Sequence, residues 1–314
     1  MRNPASSFRS LSLGVFVSLV GGALSSSACS GSSATPGDAG PPPVDPPLDA
    51  GTGEETSLDG AALDARGPVG STKGSGGVVC ASRGELSGGR AFCTLTIAGA
   101  EVKLAEPTAG AGPFRVVAYL HGDGAAAHNS GSAMRALLPF ADERHALVLS
   151  VKAPNGCRWW QVPTQTDCSD TAPEVPDTDG LNADVLKAVL DAVRAAYDVT
   201  LGNAYYYGSS GGSIFLTSQF VRKYGDAYPG VYALNCGGER PTKAFAWDTT
   251  LAEKRAGTTM FFTYGDQDFL KPDIEKAAPH FAGLGFPVDT KVVAGAGHCA
   301  FDGHGRAVEV FRAN

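Results

Sequence analysis

From Val78 onward, short and almost continuously apolar runs alternate with longer amphipathic stretches. The runs at 114–120, 146–151, 204–207, 230–235, 259–264 and 290–293 have strand length and little polar alternation. That is the signature of strands buried on both faces. Between them, 132–143, 183–197 and 213–224 read as helices. In the second, Val185, Leu186, Val189, Leu190 and Val193 fall on one face at i, i+4, i+8 spacing. Asn182 or Asp179 is the expected cap of that helix. Strands and helices in this alternation predict a three-layer α/β/α domain over 78–314 with a mostly parallel central sheet. No internal repeat is present.

The chain before Val78 has a different texture. Arg2 and Arg9 precede an apolar stretch from Leu11 to Leu24, and small residues Ser25, Ser26, Ser27 and Ala28 lead into Cys29. A charged start, an apolar middle and a small-residue end mark 1–28 as a signal peptide. Cys29 directly after it resembles the lipidated cysteine of bacterial lipoproteins, with Ser26 standing where that motif has Leu. Two outcomes follow from these residues, a lipid anchor on Cys29 or plain cleavage after Ala28 with full secretion. Both export the protein, and the only membrane contact expected is through the anchor. Residues 29–77 are dominated by Gly, Ser, Pro, Ala and Asp, too polar to bury a core, and read as a disordered linker. A flexible chain of that length spans about 40 Å.

Composition narrows the remaining classes. The net charge is -7 over 314 residues, and 25 Lys and Arg form no basic cluster, so nucleic acid is not an expected partner. Apart from Cys29, six cysteines remain: Cys80, Cys93, Cys157, Cys168, Cys236 and Cys299. An even number in an exported domain points to disulfides, of which about fifteen pairings are open. Sequence neighbours suggest Cys80 with Cys93 and Cys157 with Cys168, which leaves Cys236 with Cys299. No CxxC or HExxH spacing occurs, so no metal is expected.

The candidate chemistry sits at strand ends. Gly208-Ser209-Ser210-Gly211-Gly212 is a G-x-S-x-G with Ser210 at its centre, between a predicted strand and a predicted helix. A serine on so sharp a turn needs neighbours without side chains, and the helix start offers N–H groups to a developing oxyanion. A serine nucleophile also needs a base and an orienting carboxylate, and where the serine sits on such a strand-to-helix turn of an α/β sheet they follow it in chain order as acid and then histidine. After the strand ending at Tyr264 come Asp266 and Asp268, and after the last strand comes Gly297-His298. His298 is the expected base, with His304 as its rival. Asp268 is the expected acid, with Asp266 as its competitor. In Leu120-His121-Gly122-Asp123-Gly124 the N–H of Asp123 is expected to join that of Gly211 in an oxyanion hole, and His121 reads as a structural loop residue.

These segments together resemble the α/β-hydrolase superfamily. The stretch from Tyr206 to Gly238, with Tyr228-Pro229-Gly230-Val231-Tyr232-Ala233 and Cys236-Gly237-Gly238, is similar to secreted esterases of the polyhydroxybutyrate depolymerase and feruloyl esterase kind. Gly211 departs from the other small residues, such as Ala, common after the serine in that branch. The resemblance implies hydrolysis of small or polymeric carboxylic esters through an acyl-enzyme, without a cofactor. A serine peptidase with the same triad, and a non-catalytic surface lipoprotein on the same fold, are the alternatives. Trp159 and Trp160, inside the Cys157–Cys168 loop, are candidates for an aromatic wall that binds substrate.

Overall fold

Strand formation follows the apolar runs closely, and nine strands join in a single sheet. The computed structural model describes residues 70–314 apart from Ser75, Asp170 and Asn203. The expected signal peptide, Cys29 and most of the expected linker lie outside the described residues. In chain order the elements are β1 (Ser82–Leu86), β2 (Arg90–Ile97), β3 (Ala100–Ala105), β4 (Arg115–Leu120), α1 (Ala126–Ser130), α2 (Ser132–Glu143) and β5 (Ala146–Val151). Then come α3 (Leu181–Ala196), β6 (Ala204–Ser209), α4 (Gly211–Phe215), a π-helical turn (Leu216–Phe220) and α5 (Val221–Tyr224). The last elements are β7 (Gly230–Asn235), α6 (Ala252–Ala256), β8 (Thr258–Gly265), α7 (Lys271–Gly283), β9 (Val288–Val293) and α8 (Gly303–Arg312).

The sheet order is β1-β2-β3-β5-β4-β6-β7-β8-β9. From β5 to β9 every neighbouring pair is parallel, while β1, β2 and β3 form an antiparallel meander on the β5 edge. The meander was not expected from the apolar runs. Its strands are half-exposed, as in the alternating Arg90–Ile97, and carry no continuous apolar stretch. On the far edge β9 is largely exposed and carries Asp289 and Lys291, charges that discourage pairing with another chain. Among the described residues no helix is long and apolar enough to cross a membrane.

Each central strand feeds two cores through its alternating side chains. Val116, Ala118, Leu120, Tyr206, Tyr232 and Leu234 face α3, α4 and α7, where Leu186, Phe215, Ile274 and Phe281 are fully buried. Val117, Tyr119, Tyr205, Val231 and Ala233 face α2 and α8, against Met134, Leu137, Phe140 and Phe311. Both faces of the sheet are therefore covered, which explains why its strands read as unbroken apolar runs. Helix α2 matches the expected span, and α3 begins two residues earlier than expected, at Leu181. Its start corrects the expected cap. Neither Asn182 nor Asp179 caps it. The buried Asp177 carboxylate accepts the N–H groups of Leu181 (2.9 Å) and Asn182 (2.8 Å), placing negative charge at the positive helix end.

Residues at the start of the described chain, within the expected linker, already touch this body. Thr72 N–H donates to the Val199 carbonyl at 3.0 Å and Gly77 N–H to that of Ala196 at 2.9 Å. The six cysteines form three disulfides, Cys80–Cys93, Cys157–Cys168 and Cys236–Cys299.

Trp159 is fully buried and stacks on Phe215 of α4 with ring centroids 4.7 Å apart. The Trp159→Ala chain is expected to lose about 3–5 kcal/mol of stability. Urea unfolding should show a lower midpoint with an unchanged slope.

Candidate active site

The chain leaves β4 in one direction to form β5, then crosses back to place β6 on the other side of β4. Reversals of this kind open a crevice beyond the carboxyl ends of the two strands, the usual ligand site of open α/β sheets. Two loops enter the crevice here, His121 to Ala125 after β4 and Ser210 after β6.

Ser210 has φ 49° and ψ -117°, a backbone state that a residue with a side chain adopts only under constraint. Its N–H donates to the Asn235 carbonyl at the end of β7 (2.9 Å). The flanking glycines are required by contact. A Cβ on Gly212 would lie 2.2 Å from the Leu120 carbonyl oxygen, and one on Gly208 would lie 2.7 Å from the Ser213 backbone. Gly122 also lies against the serine, since its Cβ would fall 3.2 Å from that of Ser210.

The three residues expected to work together are brought into one hydrogen-bonded line. Ser210 Oγ is 2.9 Å from His298 Nε2, and His298 Nδ1 is 2.9 Å from Asp268 Oδ1. Asp268 is 4% exposed, and its Oδ1 also accepts the Leu270 N–H at 2.9 Å. Asp266 is exposed and outside this line. His304 points elsewhere, with its Nδ1 3.1 Å from the Tyr207 hydroxyl. Asp123 opens a short 3-10 turn and Gly211 opens α4. Their N–H groups stand at helix starts, where no intrahelical acceptor exists.

A strand–turn–helix serine at the sheet's reversal, with a carboxylate after β8 and a histidine after β9, decides the fold family. The chain has the α/β-hydrolase fold. No family model matches it, and no curated protein matches it. Among solved structures it is similar to esterase PE8 (18% identity, TM-score 0.49, 70% of this chain and 99% of that one). It is also similar to an esterase of Rhizomucor miehei (13%, 0.49, 71% and 82%) and to the siderophore hydrolase EstA of Aspergillus nidulans (13%, 0.48, 76% and 99%). The fold assignment rests on topology and on the serine turn.

Two further features of this hydrolase fold shape the site. Cys236 follows β7 and Cys299 follows His298, so their disulfide ties the histidine loop to the sheet with Cα atoms 5.1 Å apart. Both cysteines have positive φ, 45° and 51°. Their sulfurs lie near the His298 ring but are bonded to each other, and so offer no thiolate to a metal.

A cavity of about 520 Å³ opens beside Ser210, lined in part by Asp123, Arg158, Trp160, Ile214, Glu239 and Phe269. The expected pair of tryptophans is split here. Trp160 lines this cavity, whereas Trp159, in the same turn, is fully buried in the core with its ring stacked on Phe215. Trp160 Nε1–H donates to both oxygens of the Asp123 carboxylate (3.2 and 3.1 Å), and Arg158 Nε lies 3.4 Å from Asp123 Oδ2. Burial raises the Asp123 pKa, opposed first by the Trp160 hydrogen bond and then by Arg158 and His298. Glu239 is also raised, mainly by burial, with Asp273 adding to it. Phe269, next to Asp268, had no signal in the sequence beyond its position. It is 71% exposed, and its ring lies 4.4 Å from that of His298.

His121 is structural, as its place before the serine suggested. It accepts the Ala153 N–H at Nε2 (2.9 Å), so its proton sits on Nδ1 and is donated to the Gly122 carbonyl (2.6 Å). This neutral bridge holds the loop that carries Asp123.

Two predictions follow from this geometry. The Gly212→Ala chain is expected to lose about 1–3 kcal/mol or more of stability, because backbone must move to admit the new Cβ. Its thermal unfolding against wild type measures the loss. His121 is buried, and desolvation pushes its pKa down from 6.5 to about 4. The neutral folded form therefore gives full stability above the unfolded value near 6.5. Stability falls progressively as pH drops from there to about 4, by on the order of 3 kcal/mol from this group. The His121→Asn chain should lack that component of the acid-side slope when urea midpoints are compared across this range.

Proposed function

We propose that the protein is an exported serine hydrolase that cleaves carboxylic esters. The observation that carries this reading is the hydrogen-bonded line from Ser210 Oγ through His298 to Asp268 at the strand ends. Ser210 Oγ attacks the ester carbonyl carbon while His298 Nε2 takes its proton. Asp268 holds Nδ1–H and stabilises the imidazolium that forms. The oxygen of the tetrahedral intermediate accepts the N–H groups of Asp123 and Gly211, which are fixed before the reaction and need no rearrangement. Collapse breaks the bond to the alcohol, which leaves with the proton from His298. Water, deprotonated by the same imidazole, then attacks the acyl-serine and releases the acid.

Export is supported by the signal-like segment 1–28, by the cysteine at position 29 and by three disulfides within the folded body. The likeness of Tyr206 to Gly238 to polyhydroxybutyrate depolymerases and feruloyl esterases favours ester substrates over peptides. An apolar cavity wall of Trp160, Ile214 and Phe269 is compatible with an acyl or aromatic group at this site.

A fluorophosphonate probe should label the full chain and fail to label its Ser210→Ala variant. Asp268→Asn should lower kcat for a simple phenyl ester by about 10³–10⁴-fold, while Asp266→Asn stays near wild type. A folded wild-type chain that resists labelling at saturating probe would overturn the hydrolase reading.

A further inference from the structure

We propose that Phe269 is the specificity residue for the alcohol side of the ester, gripping an aromatic or bulky apolar leaving group at the mouth of the cavity. This inference rests on the hydrolase reading above.

The argument starts from exposure. Among the described residues, large apolar side chains exposed beyond two-thirds are rare, and Phe269, at 71%, lies beside the candidate base and on the cavity wall. Its neighbour Asp268 is fixed, because the Asp268 carboxylate holds both His298 and the Leu270 N–H. The backbone that carries Phe269 is thus pinned on both sides, and α7 starts two residues later. An exposed ring on a rigid turn presents apolar surface without an entropic cost of ordering its backbone.

Placement then selects the part of the substrate it meets. The leaving oxygen must come within hydrogen-bond reach of His298 Nε2 to receive its proton. Its substituent therefore projects past the imidazole ring, and the Phe269 ring is 4.4 Å from that ring at an interplanar angle of 43°. The carbonyl oxygen lies on the opposite side, toward Gly211 and Asp123. There Trp160 is the aromatic neighbour, since a Cβ on Gly211 would lie 3.2 Å from the Trp160 ring. Trp160 thus neighbours Gly211, and Phe269 neighbours His298. Phe269 meets the leaving group during acylation, and after the alcohol departs it faces only water. Its contribution belongs to acylation and vanishes in deacylation.

The test uses esters with one common acyl group and a graded alcohol, methyl, butyl and benzyl, on the full chain. Phe269→Ala should lower kcat/KM for the benzyl ester about tenfold more than for the methyl ester. The deacylation rate, read from single-turnover decay of the common acyl-enzyme, should be unchanged. Phe269→Tyr should restore the benzyl preference. An equal loss for all three alcohols would overturn the proposal, because it would mean that the ring only supports His298. A loss that follows the acyl group, at constant alcohol, would overturn it equally. The Ser210→Ala chain gives a readout without turnover. Its Kd for the benzyl ester should rise several-fold when Phe269→Ala is added, and an unchanged Kd counts against the contact. Failure of the wild-type chain to hydrolyse any ester, with this Phe269-dependent binding intact, would remove the hydrolase reading and leave the contact standing.

Discussion

The site depends on one backbone constraint, the φ of 49° at Ser210. A non-glycine residue held there costs about 1–3 kcal/mol, and it persists only where the surroundings over-determine it. Three supports do so here. The parallel pairing of β6 with β4 and β7 fixes the strand up to Ser209. The Ser210 N–H is committed to the Asn235 carbonyl, and α4 begins at once, with the Ser213 N–H donating back to the Ser210 carbonyl (2.8 Å). With the backbone so held, the hydroxyl points out of the sheet end toward His298. The same turn leaves the Gly211 N–H free of helical partners. The proposed nucleophile and oxyanion donor are therefore two consequences of a single turn.

The histidine has to reach this fixed serine from the far side of the sheet. Its loop follows the exposed edge strand β9, the least buried of the parallel strands, and needs separate anchoring. Two contacts supply it. Gly265, at the end of β8, lies so close to the Ala296 carbonyl that a Cβ would sit 2.0 Å from the oxygen. The Cys236–Cys299 disulfide then joins the loop to the strand that also accepts the Ser210 N–H. With a sequence separation of 63, the bridge stabilises by about 4 kcal/mol in the chain-entropy account. Its placement matters more than its size. Ser210, Cys236 and Cys299 all have positive φ, so strained backbone lies on both the serine turn and the histidine loop.

Much of this was legible in the sequence because covered parallel strands and the serine turn leave strong local marks. The apolar runs located β4 to β9 closely, and the glycines around Ser210 marked the turn that contact requires. Chain order alone separated His298 from His121. What escaped was set by tertiary packing. The β1–β3 meander alternates apolar with polar residues over short strands, so it lacks the continuous apolar runs that marked the central strands. Adjacent tryptophans look equivalent in sequence, yet burial against Phe215 makes Trp159 a core residue and leaves Trp160 on the cavity. The cap of α3 comes from Asp177, outside the positions that local rules favour, because its carboxylate folds back over the turn. Asp268 prevails over Asp266 because burial and the Leu270 N–H orient it, and neither is visible in the spacing.

Asp123 poses a problem that the structure answers. In the proposed mechanism its N–H stabilises a developing negative charge, yet the same residue carries a carboxylate nearby. An ionised group facing the oxyanion would oppose catalysis, since like charges in a partly desolvated cavity interact strongly. Here the carboxylate lies against Gly211, where a Cβ would fall 2.3 Å from its Oδ1. There both oxygens accept from the Trp160 indole, and the Arg158 guanidinium stands beside them. These donors offset its charge where it lies beside the proposed oxyanion donors. The same bonds fix Trp160 at the edge of the cavity, and the Gly124 N–H bond to the Cys157 carbonyl (3.0 Å) locks the two loops together. One acidic side chain thereby couples the proposed oxyanion donor to the aromatic wall, so the shape of the cavity and the electrostatics of the proposed reaction cannot be altered separately at this position.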